Sequence, residues 1–364
     1  MNIIHVVGAR PNFMKVDPVI RALAEQSDYK QKLVHTGQHY DEKLSDIFFR
    51  QLGLKEPDVN LKVGSGNHSV QTANIILRFS EYLDSNKTDL VIVYGDVNST
   101  LGAAIVCSKR GIPIAHVEAG LRSFDTSMPE EINRILTDRI SNLLFTTSID
   151  ANENLVREGI PSSRINFTGN VMIDTLVRLK PEAKLLWGEL SDKYKIEEGK
   201  FVLVTLHRPS NVDDKNVIFP LFEELINFSH QIPLIYPVHP RTKKMLEKFC
   251  INTNEPNFYL VEPMDYLQFI SLLLKTKLVI TDSGGVQEES SYLGIPCLTV
   301  RENTERPVTI TEGTNHLVGT KPEKIRIAFN KIMSNDKQNS VKCPLLWDGR
   351  AAQRIADIAI SFLK

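Results

Sequence analysis

Cysteine is scarce. The 364 residues hold four, Cys107, Cys250, Cys297 and Cys343, and no two form a C-x-x-C pair. That spacing speaks against a zinc ribbon or a redox motif. Sparse, scattered thiols fit a reducing compartment, so a cytoplasmic protein is expected. An excess of one charge is also missing: Lys plus Arg number 43 and Asp plus Glu 44, a net charge of −1. No broad nucleic-acid face or polybasic membrane face is expected. A pocket for a small anion stays open, because it needs only a few cations. Long apolar runs are absent too. The best, Phe269 to Thr281, is interrupted by Lys275 and Lys277 and falls short of the roughly 18–20 residues of a membrane span. Met1 to Gly8 runs straight into Ala9-Arg10-Pro11 with no basic segment before it, which does not read as a signal peptide. There is no G-x-x-x-x-G-K-[ST] loop and no H-E-x-x-H. Gly64-Ser65-Gly66-Asn67-His68-Ser69 begins like a dinucleotide fingerprint, but Ser stands at its sixth position and no convincing strand leads into it. Neither a metal nor a cofactor is expected.

What is present is a regular alternation. At about 150 residues per domain, the length points to two domains. Short apolar runs occur at 3–7, 32–36, 90–94, 114–117, 143–146 and 165–168, each followed by a turn and an amphipathic stretch. A second series lies at 201–206, 234–237, 258–261, 278–281, 297–300 and 316–318. Nearly continuous apolar strands alternating with helices indicate parallel sheets covered on both faces. The charged stretch 174–200, punctuated by Pro181 and by Glu197-Glu198-Gly199, separates the series. The expected fold is α/β, two Rossmann-like domains facing a cleft. Residues 1–175 with a returning C-terminal helix at 350–364 form one domain, and residues 176–349 form the other. Ligands in such sheets bind beyond the carboxyl ends of the strands, so those ends carry the functional reading.

After the first strand, Gly8-Ala9-Arg10-Pro11 opens a helix whose N-terminus favours an anion, with Arg10 and Lys15 as nearby cations. Asp96, in Tyr94-Gly95-Asp96, reads equally as a helix cap or as a base or orienting carboxylate. In His116-Val117-Glu118 the alternation of a strand places His116 and Glu118 on one side, and Arg122 stands where it could pair with Glu118. Met128-Pro129-Glu130-Glu131 opens a helix with acids in its first turn, and Arg134 lies one turn beyond Glu130. Two strand ends of the second series each deliver a His and an Arg, His207-Arg208 and His239-Pro240-Arg241, suited to proton transfer or phosphate contact. The most specific local signal is Asp282-Ser283-Gly284-Gly285 running into a helix. Its glycines let backbone approach a ligand, its N-terminus offers free N–H groups to a diphosphate, and Glu289 one turn on could accept from ribose hydroxyls.

Taken together these stretches resemble the non-hydrolysing UDP-N-acetylglucosamine 2-epimerases. The matching segments are GARPNFMK from Gly8, TGQHYD from Thr36, YGDVNST from Tyr94, HVEAGLRS from His116, MPEEINR from Met128, GNVMIDT from Gly169, VTLHR from Val204, PVHPR from Pro237, DSGGVQEES from Asp282 and GRAAQRI from Gly349. They are collinear over nearly the whole chain. The resemblance implies a glycosyltransferase-B architecture with UDP held mainly by the C-terminal domain, and a homodimer. It implies inversion at C2 by anti elimination of UDP, through a 2-acetamidoglucal intermediate, without nicotinamide, in polysaccharide biosynthesis. Asp96, Glu118, Glu130 and His207 match the catalytic positions. Arg10, Lys15, His239, Ser283, Gly284, Gly285 and Glu289 match UDP-sugar positions, and Arg134 matches a functionally important arginine counted with them. Which carboxylate is base and which is acid stays open.

Two departures from the family pattern matter. Pro209-Ser210-Asn211 follows His207-Arg208 where a basic or polar residue and then Glu-Asn are usual, and Tyr40-Asp41 follows TGQH where some members carry Arg-Gln. Members activated by their own substrate use these segments, so weak or absent substrate activation is expected here. The same changes would suit a more decorated UDP-sugar, such as a UDP-2,3-diacetamido uronate. A hydrolysing relative that releases ManNAc and UDP is the other alternative.

Overall fold

The computed structural model describes residues 1–26, 29–38, 53, 56–334 and 343–364. The chain divides into two compact units, Met1–Thr175 with Leu345–Lys364, and Leu176–Pro344.

The sheet of the first unit is built from β1 (Asn2–Val7), β2 (Lys30–His35), β3 (Val59–Asn60), β4 (Leu90–Tyr94), β5 (Ile114–Ala119), β6 (Leu143–Thr146) and β7 (Ile165–Phe167). Its strands run parallel in the order β3-β2-β1-β4-β5-β6-β7. Leu-Val-Ile-Val-Tyr of β4 is buried at every position, as a strand covered on both faces requires. The sequence pattern points to six strands here. The seventh, β3, pairs only Val59 and Asn60 with β2, too short to leave a periodic signal. The helices are α1 (Arg10–Gln26), α2 (His68–Asp84), α3 (Asn98–Arg110), α4 (Pro129–Ile140) and α5 (Ile149–Arg157). Pro129 stands at the start of α4 with Glu130 and Glu131 in its first turn, where a missing N–H costs nothing and negative charge meets the positive end of the dipole.

α6 (Val171–Leu185) carries the chain across the boundary. Pro181 does not punctuate as its type suggests, but lies inside this helix. The carbonyl that loses its partner belongs to exposed Val177, where water can serve it. After the second unit the chain returns as α15 (Ala351–Leu363), which packs on α1. Its first free N–H groups are held by buried Asp174, from Ala351 N to Oδ1 at 3.1 Å and from Ala352 N to Oδ2 at 2.7 Å.

The second unit repeats the design with β8 (Val202–Thr205), β9 (Leu234–Pro237), β10 (Phe258–Val261), β11 (Leu278–Thr281), β12 (Cys297–Thr299) and β13 (Asn315–Leu317), in the order β10-β9-β8-β11-β12-β13. Around it lie α7 (Trp187–Tyr194), α8 (Pro209–Val212), α9 (Lys215–Ser229), α10 (Pro240–Lys248), α11 (Tyr266–Leu273), α12 (Gly284–Leu293), α13 (Val308–Thr311) and α14 (Pro322–Met333). Phe228 of α9 stacks on Phe329 of α14 with ring centroids 3.8 Å apart. Both sheets reverse direction of winding beside their first strand, between β1 and β4 and between β8 and β11. That reversal is where an open α/β sheet leaves a crevice at its carboxyl edge. Among the described residues, no helix is long and apolar enough to cross a membrane.

Candidate active site

In the first unit, the segments after β1, β4 and β5 converge at the carboxyl edge. Asn12, in the first turn of α1, fastens the β1 end to the β4 end. Its Oδ1 accepts from Gly8 N and Ala9 N, and its Nδ2 donates to Tyr94 O at 2.9 Å. Lys15, one turn along α1, places Nζ 2.6 Å from Glu118 Oε2, and both side chains are buried. Neither is the solvated surface group that its type would favour. Arg10 is the first residue of α1, and its side chain lies outside the described part of the structure.

Glu118 is not presented by simple alternation. The β5–β6 register shifts between Val117 and Ala119, and Glu118, the extra residue, has φ +74. The expectation that His116 and Glu118 share a strand face therefore fails: a bulge re-aims the side chain. A glutamate held in the left-handed region carries a strain on the order of 1–3 kcal/mol. Asp96 does not cap α3, whose N-cap is Val97. It accepts instead from Arg134 Nη1, with Oδ2 at 2.5 Å. Arg134 also grips Glu131 Oε2, from Nη2 at 2.5 Å and from Nε at 3.1 Å. Glu131 in turn accepts from Ser123 N and Phe124 N. Burial opposes ionisation of Glu131, but these hydrogen bonds and the Arg134 charge outweigh it and lower the pKa. Glu131, three residues before Arg134, is thus a helical partner of it, and Glu130 is half-buried alongside. Arg122 reaches Asp138 and Glu158, at 2.8 and 2.7 Å.

In the second unit, β8 and β11 lie side by side, with Thr205 opposite Thr281. The next residues therefore meet. Asp282, fully buried, accepts from His207 N at 2.9 Å, from Arg208 N at 2.8 Å and from Asn211 Nδ2 at 2.9 Å, and lies 3.0 Å from His207 Nδ1. Burial opposes its charge, but His207 and these N–H donors outweigh that and hold its pKa below the ordinary range. His207 is thereby oriented by a carboxylate on one ring nitrogen, and its ring lies 5.4 Å from that of exposed His239. His239 caps α10, its Nδ1 accepting from Arg241 N.

Ser283 is the N-cap of α12 without a side-chain cap bond, and Ser283, Gly284 and Gly285 are only half-buried. The N–H groups of this helix start are oriented as an anion site needs. A methyl group on Gly284 would stand 2.6 Å from Arg306 Nη1. Arg306 and Arg301 both pair with Glu305, and Arg208 lies 3.8 Å from the same carboxylate. Burial disfavours the Glu305 charge, yet Arg306 and Arg301 overcome it and keep the pKa well below normal. Glu289 behaves in the opposite way. Burial lifts its pKa to about 8; the Tyr266 hydroxyl, donating to Oε1 at 2.9 Å, pulls it down, and neighbouring Glu288 pushes it up.

Comparison with known proteins decides the family. The family model described as UDP-N-acetylglucosamine 2-epimerase matches residues 21–360. The chain belongs to the UDP-N-acetylglucosamine 2-epimerase family. It is 42% identical over 361 residues to the UDP-N-acetylglucosamine 2-epimerase of Methanocaldococcus jannaschii, covering 97% of each chain. It is 39% identical over 364 residues to the UDP-2,3-diacetamido-2,3-dideoxy-D-glucuronate 2-epimerase of Pseudomonas aeruginosa, covering 98% of this chain and 99% of that one. A crystal structure of the M. jannaschii enzyme in complex with UDP-GlcNAc and UDP superposes with a TM-score of 0.91 at 40% identity, over 99% of this chain and all of that one. Two parallel α/β sheets of the glycosyltransferase-B type are the architecture of this family member, and its class of activity is epimerisation.

Within this epimerase framework, the first unit gathers Lys15 with Glu118, and Asp96 with Arg134. The second unit gathers His207, His239, Ser283, Gly284 and Gly285 at neighbouring strand ends, with Glu289 on the same α12. Tyr40 and Asp41 lie outside the described residues. Gln38 is described, its Oε1 accepting from Ser99 Oγ at 2.8 Å. Sequence reasoning missed Asn12, Glu131 and Tyr266. Glu131 stood beside Glu130 in MPEEINR and could have been weighed with it. Tyr266 sits in no motif that signals a contact to Glu289, 23 residues away.

Proposed function

We propose that this chain interconverts UDP-GlcNAc and UDP-ManNAc. The observation that carries the reading is the buried Lys15–Glu118 pair on a strained bulge, because it fixes one carboxylate for proton work at a cost in backbone strain. In the forward direction a carboxylate takes the C2 proton, the C1–oxygen bond to the β-phosphate breaks, and a C1=C2 double bond forms in a 2-acetamidoglucal. UDP leaves with the bonding pair. A second acid, which has exchanged its proton with solvent, then protonates C2 from the opposite face as UDP re-adds at C1. Asp96, Glu118 and Glu130 supply the carboxylates, and His207 acts on the leaving diphosphate side. The α12 N-terminus and Arg10, Lys15, Arg134 and His239 serve the UDP-sugar. Preorganised donors of this kind stabilise charge as it develops on the departing phosphate. A homodimer and a cytoplasmic role in polysaccharide biosynthesis complete the reading.

The test is incubation with UDP-GlcNAc in heavy water, followed by proton and phosphorus resonances. Deuterium at C2 with the UDP-sugar retained is the expected outcome. Stoichiometric UDP with free ManNAc would replace this reading with a hydrolysing one. The second reading is a diacetamido-uronate substrate, favoured by the 39% identity to the P. aeruginosa enzyme. It predicts exchange with that sugar and none with UDP-GlcNAc.

A further inference from the structure

Glu118 sits in a conformation that a glutamate does not adopt unaided, so something around it must hold the bulge. The residues two before and two after it, His116 and Gly120, converge on one buried carboxylate, Asp138 of α4. His116 Nδ1 lies 2.7 Å from Asp138 Oδ1, and Gly120 N donates to Oδ2 at 3.1 Å. We propose that Asp138 is a positioning residue for Glu118: its carboxylate ties together the two sides of the β5 bulge and so fixes the direction of the Glu118 side chain. This rests on the role given to Glu118 under Proposed function.

The neighbours of Asp138 make the clamp rigid. Arg122 Nη1 lies 2.8 Å from Oδ2, and the same guanidinium is held by Glu158 through Nε at 2.7 Å and Nη2 at 2.8 Å. Burial opposes the Asp138 charge, but His116 and Arg122 outweigh it and lower the pKa. Position 120 admits no side chain, because its φ is +81 and a Cβ there would stand 2.5 Å from Ala151 O. Its carbonyl is gripped from the other side by Asn154 Nδ2 at 3.0 Å. The clamp also reaches the second carboxylate strand, since His116 Nε2 bonds Gly95 O at 2.8 Å, directly before Asp96. The side-chain partners described for Asp138 are His116, Gly120 and Arg122, none of them assigned to the nucleotide, so its loss should be felt in the chemical step more than in nucleotide affinity.

Asp138→Asn keeps the size and one acceptor but removes the charge. The expected result is a fall in kcat and in C2 deuterium exchange of about tenfold or more, with KM and UDP affinity nearly unchanged. A crystal structure of the variant should show Glu118 out of the left-handed region and apart from Lys15. Exchange at the wild-type rate in the folded variant would overturn the proposal. So would equal losses of UDP affinity and exchange, which indicate general loosening. Should Asp138→Asn not fold, Asn154→Ala releases the other side of Gly120 without unpairing a charge; it should lower kcat in the same way, and an unchanged kcat would count against the clamp. If the wild-type enzyme exchanges C2 of neither UDP-sugar, the functional reading is what has failed. The clamp is then decided by the crystal structure alone, and Glu118 still at positive φ against Lys15 would refute it.

Discussion

At the residue scale, two glutamates are used in opposite ways. Glu118 is buried beside an ammonium, whereas Glu289 is buried beside a phenol and another glutamate. Glu118→Gln keeps the shape and removes the base, so C2 exchange should fall by roughly 10²–10⁴-fold, the usual worth of a positioned acid or base. UDP affinity should hardly change; near-normal exchange would remove Glu118 from the mechanism. Glu289 makes a prediction about pH. Its folded pKa, raised by burial to about 8, stands above the unfolded value of about 4.3. The stability it contributes is therefore full below about pH 4.3 and is lost as pH rises through 8. Glu289→Gln stays neutral throughout. In urea unfolding at a series of pH values, the variant should gain on the wild-type protein between about pH 4.3 and 8 and hold that gain above. A gap that is flat with pH would mean that Glu289 is not held protonated by its surroundings.

At the element scale, helix ends carry much of the organisation. Both oxygens of Asp174 serve the N-terminus of α15 across 177 and 178 positions of sequence. Asp174→Ala should cost about 1–2 kcal/mol, the worth of a helix cap, read as a lower urea midpoint with an unchanged slope. The α12 N-terminus depends on having no side chain at Gly284. Gly284→Ala pushes on the Arg306 guanidinium, which is pinned by Glu305. It should weaken UDP binding about tenfold or more in calorimetry while leaving the far-ultraviolet spectrum intact, since alanine is a better helix former than glycine. Undiminished affinity would place the diphosphate elsewhere.

At the scale of the whole molecule, the expectation concerns how turnover depends on substrate. Pro209 opens the short α8, and its ring offers no polar group at that position. With a side chain of that kind missing, initial rates against UDP-GlcNAc concentration should be hyperbolic. A sigmoidal curve that becomes hyperbolic on adding trace UDP-GlcNAc would show that activation survives without it. UDP at a hundred times its dissociation constant should also raise the unfolding free energy by about 2.7 kcal/mol, provided that unfolding stays cooperative.

The amino-acid sequence by itself determined where strands form and which residues stand at their ends. Leu90–Tyr94, Leu143–Thr146, Leu234–Pro237, Phe258–Val261 and Leu278–Thr281 begin and end where their apolar runs do, because a strand buried on both faces tolerates few polar interruptions. The same apolar code placed Asp96, His207 and Ser283 directly beyond the strands. What it could not give is direction and partnership. Alternation assigned Glu118 to the face of His116, and only the bulge, clamped from α4 by Asp138, turned it toward Lys15. Helical spacing suggested Glu130 for Arg134, and the fold adds Asp96 and Glu131 as partners that the spacing did not point to. The pairing of Tyr266 with Glu289 and of His207 with Asp282 joins residues that local patterns treat separately. Periodicity records how one element meets solvent and core. The choice among several carboxylates and cations at a sheet edge is made by which strands lie side by side, and that is a property of the tertiary structure alone.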